Sequence, residues 1–373
     1  PLSYKITPDC VGDTVTFSLS RPRNLSVEVN GDIFHNLHLF ANPIDKFRPS
    51  DKEIQRALKK KKGSNLIYFG PGVHNLPNDT LFVPSGTTVY IVGGARVYGN
   101  IFTEGAHDVN IFGRGEVHPD GRGAGVWVRR SKNVRIDGIV VSQLPIGQCD
   151  SVELTNVKSI SYYGWGDGMD VFSSSNVILD GVFCRNSDDC AAVYASTQGF
   201  KGGSNNVLVK NATLWADVAH PINIGGHGDP NGMDTVQNVT FRNIDILDQA
   251  EKQIDYQGCL AINPGDNTLV RNITFENIRI EDFRNGQLVN FRISFNPKYC
   301  VSTGRGIQNV LVKDVTYNGS GENLSIIAGY DENHKISGIR FVNLVVNGRK
   351  ITDDMPGKPK WYKTGDMAGI FVG

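Results

Sequence analysis

"SNVILDGVFC" at residues 175–184 has siblings at 205–214, "NNVLVKNATL", and at 237–246, "QNVTFRNIDI". "KNVRIDGIVV" (132–141), "RNITFENIRI" (271–280), "QNVLVKDVTY" (308–317) and "ISGIRFVNLV" (336–345) follow the same plan. Each has Asn or Gly near its start, then an alternating apolar strand, then Asn, Asp or Gly at a corner, and then a second short strand. Alternation of this kind belongs to a strand with one buried face. Recurrence at a step of about 30–37 residues belongs to a stacked repeat. Leucine-rich repeats would need an LxxLxL signature, which is missing. Propeller blades would need hairpin turns, and these Asn corners carry no clear hairpin signature. The reading is an all-β chain, a right-handed parallel β-helix whose coils stack at the strand spacing of roughly 4.8 Å. Corner asparagines are then expected to bond to one another from coil to coil. Sequons such as "NIT" (272–274) thereby have a structural explanation besides glycosylation.

The first residues read differently. "SYKITPDCVGDTVTFSLSRPRNLSVEVNGDIFHNLHLFANP" alternates over longer strands with turns at "VGD" and "VNGD". This predicts a small N-terminal antiparallel β-sandwich over 1–48, followed by the β-helix over 49–373. Between them, "SDKEIQRALKKKKG" (50–63) alone keeps a helical period, as a short helix capping the first coil. Its lysine run at 59–62 reads as a solvated helix end.

Composition narrows the function. The 38 basic and 38 acidic residues of the 373 balance, which argues against nucleic acid or an anionic membrane as partner. No apolar run approaches the roughly 20 residues of a membrane span. The 42 glycines, without a collagen period, mean many turns. Six cysteines (Cys10, Cys149, Cys184, Cys190, Cys259, Cys300) form no CxxC pair and no metal spacing, and read as buried thiols. The chain is met at Pro1 without a Met, and export to an extracellular or periplasmic location is the expectation.

The chemistry concentrates in "GDGMDVFSSSNVILDGVFCRNSDDCAAVY", Gly166–Tyr194. Carboxylates beside buried strands cost free energy unless they are paired or used. Twenty-one residues separate Asp167 from Asp188, close to one coil, which predicts equivalent positions on neighbouring coils. Asp189 adjoins Asp188, and both can face one side only where the strand turns a corner. Three crowded carboxyls cannot all ionise easily, so at least one pKa should rise. A raised acid beside an ionised base is what glycoside hydrolysis requires. Trp165, Tyr162, Tyr163 and Tyr194 would offer faces for sugar rings. A calcium site built on the same three Asp is the alternative.

The run "GDGMD…NSDDCAAVY" resembles the polygalacturonase family, glycoside hydrolase family 28, in the order and spacing of its Asp-Gly and Asp-Asp motifs. "AHPINIGGHGD" resembles that family's His motif, with His220 rather than His227 in the aligned place. "NSDDCAAVYAS", "NNVLVKNATLWADVAHPINIGG", "RNITFENIRIEDF" and "QLVNFRISFNP" are similar to the dextranase and isopullulanase family, glycoside hydrolase family 49, which also has a β-sandwich before its β-helix. Both resemblances imply an inverting hydrolase with three aspartates. This chain departs from family 28 at Trp165, where an Asn is usual. The Arg-x-Lys that grips a galacturonate carboxylate has no counterpart in "YQGCLAINPGDN" (256–267), although Arg292 in "NFRIS" could compensate from the next coil. Cys190 is present, but its usual disulfide partner is replaced by Ala216.

The expected roles follow. Asp188 is the general acid, and Asp167 and Asp189 are bases holding the attacking water. His220 tunes the acid or binds a hydroxyl, Trp165 and Tyr194 stack on sugars, and His227 and Arg292 are further substrate contacts. No metal and no cofactor is required. The missing cation pair tilts the expected substrate, a polysaccharide or oligosaccharide, toward a neutral α-glucan. Alternatives are a polygalacturonase-like pectin hydrolase and a non-catalytic glycan-binding β-helix. A calcium-dependent lyase would need a basic proton acceptor, which the acidic coils lack.

Overall fold

A computed structural model describes residues 1–59, 63–355, 363–364 and 367–372, so lysines 60–62 of the predicted solvated run lie outside the described residues. The chain divides into two compact units, Pro1–Lys46 and Phe47–Gly373. In the first, Asp9–Val11 pairs antiparallel with Thr14–Thr16, and Arg23–Val27 with Leu37–Ala41. Leu25 is buried there, while Val11, Val15, Phe34 and Leu37 stay exposed.

The second unit begins with the helix Asp51–Leu58. Ser50 accepts from the Glu53 N–H, and Glu53 accepts in return from the Ser50 N–H, the reciprocal cap that satisfies two otherwise free donors. Ile54 is its buried contact, and the helix packs on Leu66–Phe69, the first strand of the stack.

From there the strands pair in parallel, each with its equivalent one coil later, in three columns. One column runs Lys132–Asp137, Asp150–Thr155, Ser175–Asp180, Asn205–Lys210 and Thr235–Gln249. A second runs Val140–Val141, Lys158–Ile160, Phe183–Asn186 and Thr213–Ala216. The third carries Val126–Arg129, Ile146–Gly147, Met169–Phe172, Ala191–Tyr194, Ile222–Ile224, Leu260–Ile262 and Val289–Arg292. This is the right-handed parallel β-helix that the repeats predict. Its interior is a continuous stack of Val, Ile, Leu and Phe. Phe241, Phe275 and Phe291 lie ring over ring at 5.8 and 5.9 Å.

The corners show why Asn recurs. Asn176, Asn206, Asn238, Asn272 and Asn309 all have φ between 55° and 58°, a left-handed conformation that Asn tolerates better than most residues. Their amides form a ladder: Asn206 donates to Asn176 (2.7 Å), Asn272 to Asn238 (3.1 Å) and Asn309 to Asn272 (3.2 Å). A second ladder joins Asn243 to Asn211 and Asn277 to Asn243. All six cysteines are free thiols, four of them buried.

Asn272→Ala is expected to destabilise the protein by about 1–2 kcal/mol, because alanine must take the left-handed corner and two ladder bonds go. Asn272→Gly, which adopts that corner freely, should cost measurably less in denaturant unfolding. Equal losses would show that the side-chain ladder, not the backbone, sets the cost.

Candidate active site

The third column places the carboxylates. Within Met169–Phe172 the residues alternate, Met169 and Val171 into the core and Asp170 out of it. The neighbouring strand aligns Met169 with Ala191, and the Gly168 N–H donates to the Asp189 carbonyl (2.7 Å). In that register Asp167 lies opposite Asp189. The spacing argument had set it opposite Asp188, and the coil is one residue longer than that argument assumed. Asp188 and Asp189 occupy the turn between Phe183–Asn186 and Ala191–Tyr194, so the pleat does not force them to opposite sides. One oxygen of each of Asp167, Asp188 and Asp189 lies within 4.8 Å of the others.

Glycine makes this crowding achievable. A Cβ on Gly168 would sit 2.2 Å from the Cys190 carbonyl oxygen, and one on Gly166 would sit 2.4 Å from the Ser187 hydroxyl. The "GDG" sequence is therefore a close-approach requirement on both sides of Asp167. Ser187 Oγ donates to the Tyr163 carbonyl (2.5 Å), and the Asn186 amide donates to the Asp167 carbonyl (3.2 Å), fixing the loop that carries the acid.

The three groups differ in environment. Asp189 is buried at 1% exposure, and all its acceptor capacity is used. Oδ1 accepts from the His220 N–H (3.0 Å) and faces His220 Nδ1 (2.7 Å). Oδ2 accepts from Asn223 (2.8 Å) and Tyr194 (2.5 Å). Burial pushes its pKa up, but attraction to His220 and these bonds outweigh that and hold it below the ordinary carboxylate value. Asp188 accepts only the neighbouring Asp189 N–H (3.0 Å). Burial first, and the Asp189 charge second, lift it to about 7. Asp167 is lifted well above its usual value by burial and then by Asp188 and Asp189. The site thus combines an ionised aspartate with two that hold protons readily.

His220 is fully buried, its ring edge-on to Tyr256 at 4.2 Å, and Tyr256 stacks on Tyr299 at 4.9 Å. His227 packs edge-on to Tyr194 at 5.0 Å, and burial lowers its pKa. Tyr194 is not a platform for sugars: it is 5% exposed, stacked on Phe172, with its hydroxyl spent on Asp189. Trp165 is 64% exposed, two residues before Asp167, and its carbonyl accepts from Gln143 (2.9 Å). Arg292 ends Val289–Arg292, on the same sheet, three strands beyond Ala191–Tyr194 and so roughly 14 Å along it.

Sequence reading passed over Asp170. It is 5% exposed, with one oxygen unpartnered and a pKa raised well above normal by burial and by Asp167. The alternation of "MDVF" would have found it, since Met and Val must face the core. Asn223 and Asn186 were also missed. Asp170, Asn186, His220, Asn223 and Asn263 each bury a side-chain nitrogen or oxygen that has no hydrogen-bond partner. Each such atom costs about 1–3 kcal/mol.

The chain belongs to the glycosyl hydrolases family 28, whose pattern matches residues 124–355. It is 26% identical over 216 residues to a polygalacturonase of Juniperus ashei, covering 56% of this chain and 39% of that one. An exopolygalacturonase of Cochliobolus carbonum is 24% identical over 246 residues, covering 57% and 52%. The chain thus spans about half or less of the length of these relatives. Among solved structures, Dex49A from Penicillium minioluteum superposes with a TM-score of 0.63 at 14% identity, over 99% of this chain and 77% of that one.

If Asp189 sets the protonation of its neighbour, Asp189→Asn should move the alkaline limb of kcat/KM to lower pH. Removing the adjacent negative charge lowers the Asp188 pKa from about 7. An unmoved limb in the pH–rate profile would assign that limb to another group.

Proposed function

We propose that this protein is an inverting hydrolase of the glycosidic bonds of a galacturonic-acid polymer, a pectin hydrolase. The observation that carries hydrolysis is the contrast between Asp188, with a pKa near 7, and Asp189, held ionised against it. Below about pH 7 Asp188 keeps the proton that the leaving oxygen needs. As the glycosidic C–O bond breaks, that proton passes from Asp188 to the departing oxygen. Water attacks the anomeric carbon and yields its proton to the half-buried Asp167, which takes this part in its ionised form, when the protonated Asp188 beside it adds no repelling charge. Asp189 has no free acceptor site for a water. It serves as the fixed negative charge beside the cationic transition state, and it holds His220 in place. His220 Nε2 has no partner within the protein and is left for a substrate oxygen.

The preference for pectin over a neutral glucan rests on the relatives, which are polygalacturonases. The dextranase likeness, at 14% identity, concerns the fold. The objection from the missing Arg-x-Lys weakens once cations beyond that coil are considered. Lys298 stands exposed over the Tyr299 ring at 4.8 Å, on the aromatic chain that leads through Tyr256 to His220. Its pKa is raised by the hydrogen bond to Tyr299, with smaller contributions from charges that include Glu251 and Asp188. Lys298 is thus a cation near the acid, suited to the uronate carboxylate. A polymeric substrate implies an extracellular or periplasmic place of work.

The nearest oxygens of the three aspartates, within 4.8 Å, are closer than the ~6.5–9.5 Å usual between the carboxyls of an inverting pair. Membership of the family, rather than spacing, carries inversion here. Proton NMR of the first product formed from polygalacturonate should show the anomer opposite to that of the bond cleaved. Retention would overturn the assignment of Asp167 as base. Lys298→Ala should raise KM for polygalacturonate about tenfold, the loss of one charged contact. Faster release of reducing ends from dextran than from polygalacturonate would return the neutral-glucan reading. A chelator should leave the rate unchanged, whereas loss of activity with unsaturated products would identify a lyase.

A further inference from the structure

The catalytic sheet continues toward the N-terminus, past the aspartates. Phe82 pairs with Phe102 on the next strand, and Phe102 with Trp127 on the one after. Val128 then pairs with Ile146, and Ile146 with Val171. By that register Phe82, Phe102, Trp127, Pro145 and Asp170 form one row on the sheet's outer face. The three rings stack nearly parallel, with centroids 5.4 and 6.4 Å apart and planes 26° and 14° from each other. Centroids so far apart mean slipped rings, each with part of a face or edge open, and Phe82 is 64% exposed. Beside them the Arg129 guanidinium lies 4.2 Å over Trp127 and 4.7 Å over Phe102. Its Nε is buried without a hydrogen-bond partner, and its nearest carboxylate oxygen, on Glu104, is 3.8 Å away.

These features serve no part of the reaction. The Trp127 strand is two strands from that of Asp170, on the order of 10 Å, and the Phe82 strand two further. Phe82 and Phe102 also precede the stretch that matches the family, residues 124–355. We propose that Phe82, Phe102, Trp127 and Arg129 form a distal binding track for the glycan chain, beyond the sugars that flank the cleaved bond. Pyranose rings have apolar C–H faces that pack on aromatic rings, and a uronate carboxylate would pair with the part-exposed end of the Arg129 guanidinium, which Glu104 meets only at 3.8 Å. The occupant is the polymer that extends from the reaction centre, because the row is continuous with Asp170 on one sheet face. The proposal rests on the pectin reading for its uronate partner, and on the glycan reading for its rings.

The test compares the natural protein with the double variant Phe82→Ala/Phe102→Ala, after thermal unfolding has shown equal midpoints. Kinetics are measured on polygalacturonate and on trigalacturonate, which is too short to reach the track. The ratio of kcat/KM on polymer to that on trimer should fall about tenfold, from stacking lost at two rings. An unchanged ratio would overturn the track. A second arm uses Asp188→Asn, with and without the ring substitutions, in gels containing polygalacturonate or dextran. Retardation by polygalacturonate that weakens with loss of the rings supports the track even if turnover is never seen. Retardation by dextran alone, lost with the rings, would keep a glycan track while refuting the pectin reading. Retardation undiminished by ring removal would overturn the proposal.

Discussion

Holding Asp167, Asp188 and Asp189 within 4.8 Å, largely out of water, is the constraint on which the rest of the site depends. Like charges so close, in a poorly solvated place, repel by several kcal/mol if all are ionised. The protein meets this unevenly. Asp189 receives four hydrogen bonds from His220, Asn223 and Tyr194 and keeps its charge. Asp188 receives one, from the neighbouring backbone, and takes up a proton instead. These two carboxyls thus differ not by residue type but by how many donors each one meets.

The β-helix suits this arrangement because its coils cannot easily move apart. Each strand is bonded to the coils on either side, and the corners are locked by amides such as Asn206 on Asn176. The interior is packed with branched and aromatic side chains. Against that frame, glycine at 166 and 168 lets one acidic turn lie on the next, where any larger residue would meet backbone or a hydroxyl. On the sheet that carries the acids, the outward row of Phe82, Phe102, Trp127 and Asp170 continues through Ala192, Asn223 and Ala261 to Asn290.

Much of this was legible in the sequence. The repeats carried the fold because strand alternation and Asn corners are local signals, and Asp167, Asp188 and Asp189 emerged from coil spacing and a family resemblance. What the sequence did not disclose depends on register and on contacts between distant coils. The offset of one residue between Asp167 and Asp188 could not be seen, because coil length varies with every corner. Tyr194 looked like a sugar platform since an aromatic beside acids is ambiguous until its burial is known. Lys298 lies on a loop after the next coil, and only the stacking of Tyr299 on Tyr256 brings it toward His220. Asp170 is a different case: the alternation that identified the strands already implied its outward direction.

The most direct test of the central claim is carbon NMR of the protein labelled at its aspartate carboxyls, followed through a pH titration. One carboxyl should hold its proton until about pH 7 and vanish from the spectrum in Asp188→Asn. Another, identified by Asp189→Asn, should stay ionised below the ordinary carboxylate range. If all the aspartates at the site instead titrate together at about 4, the usual value, the division into acid and fixed charge is wrong. The cluster would then have no built-in proton donor.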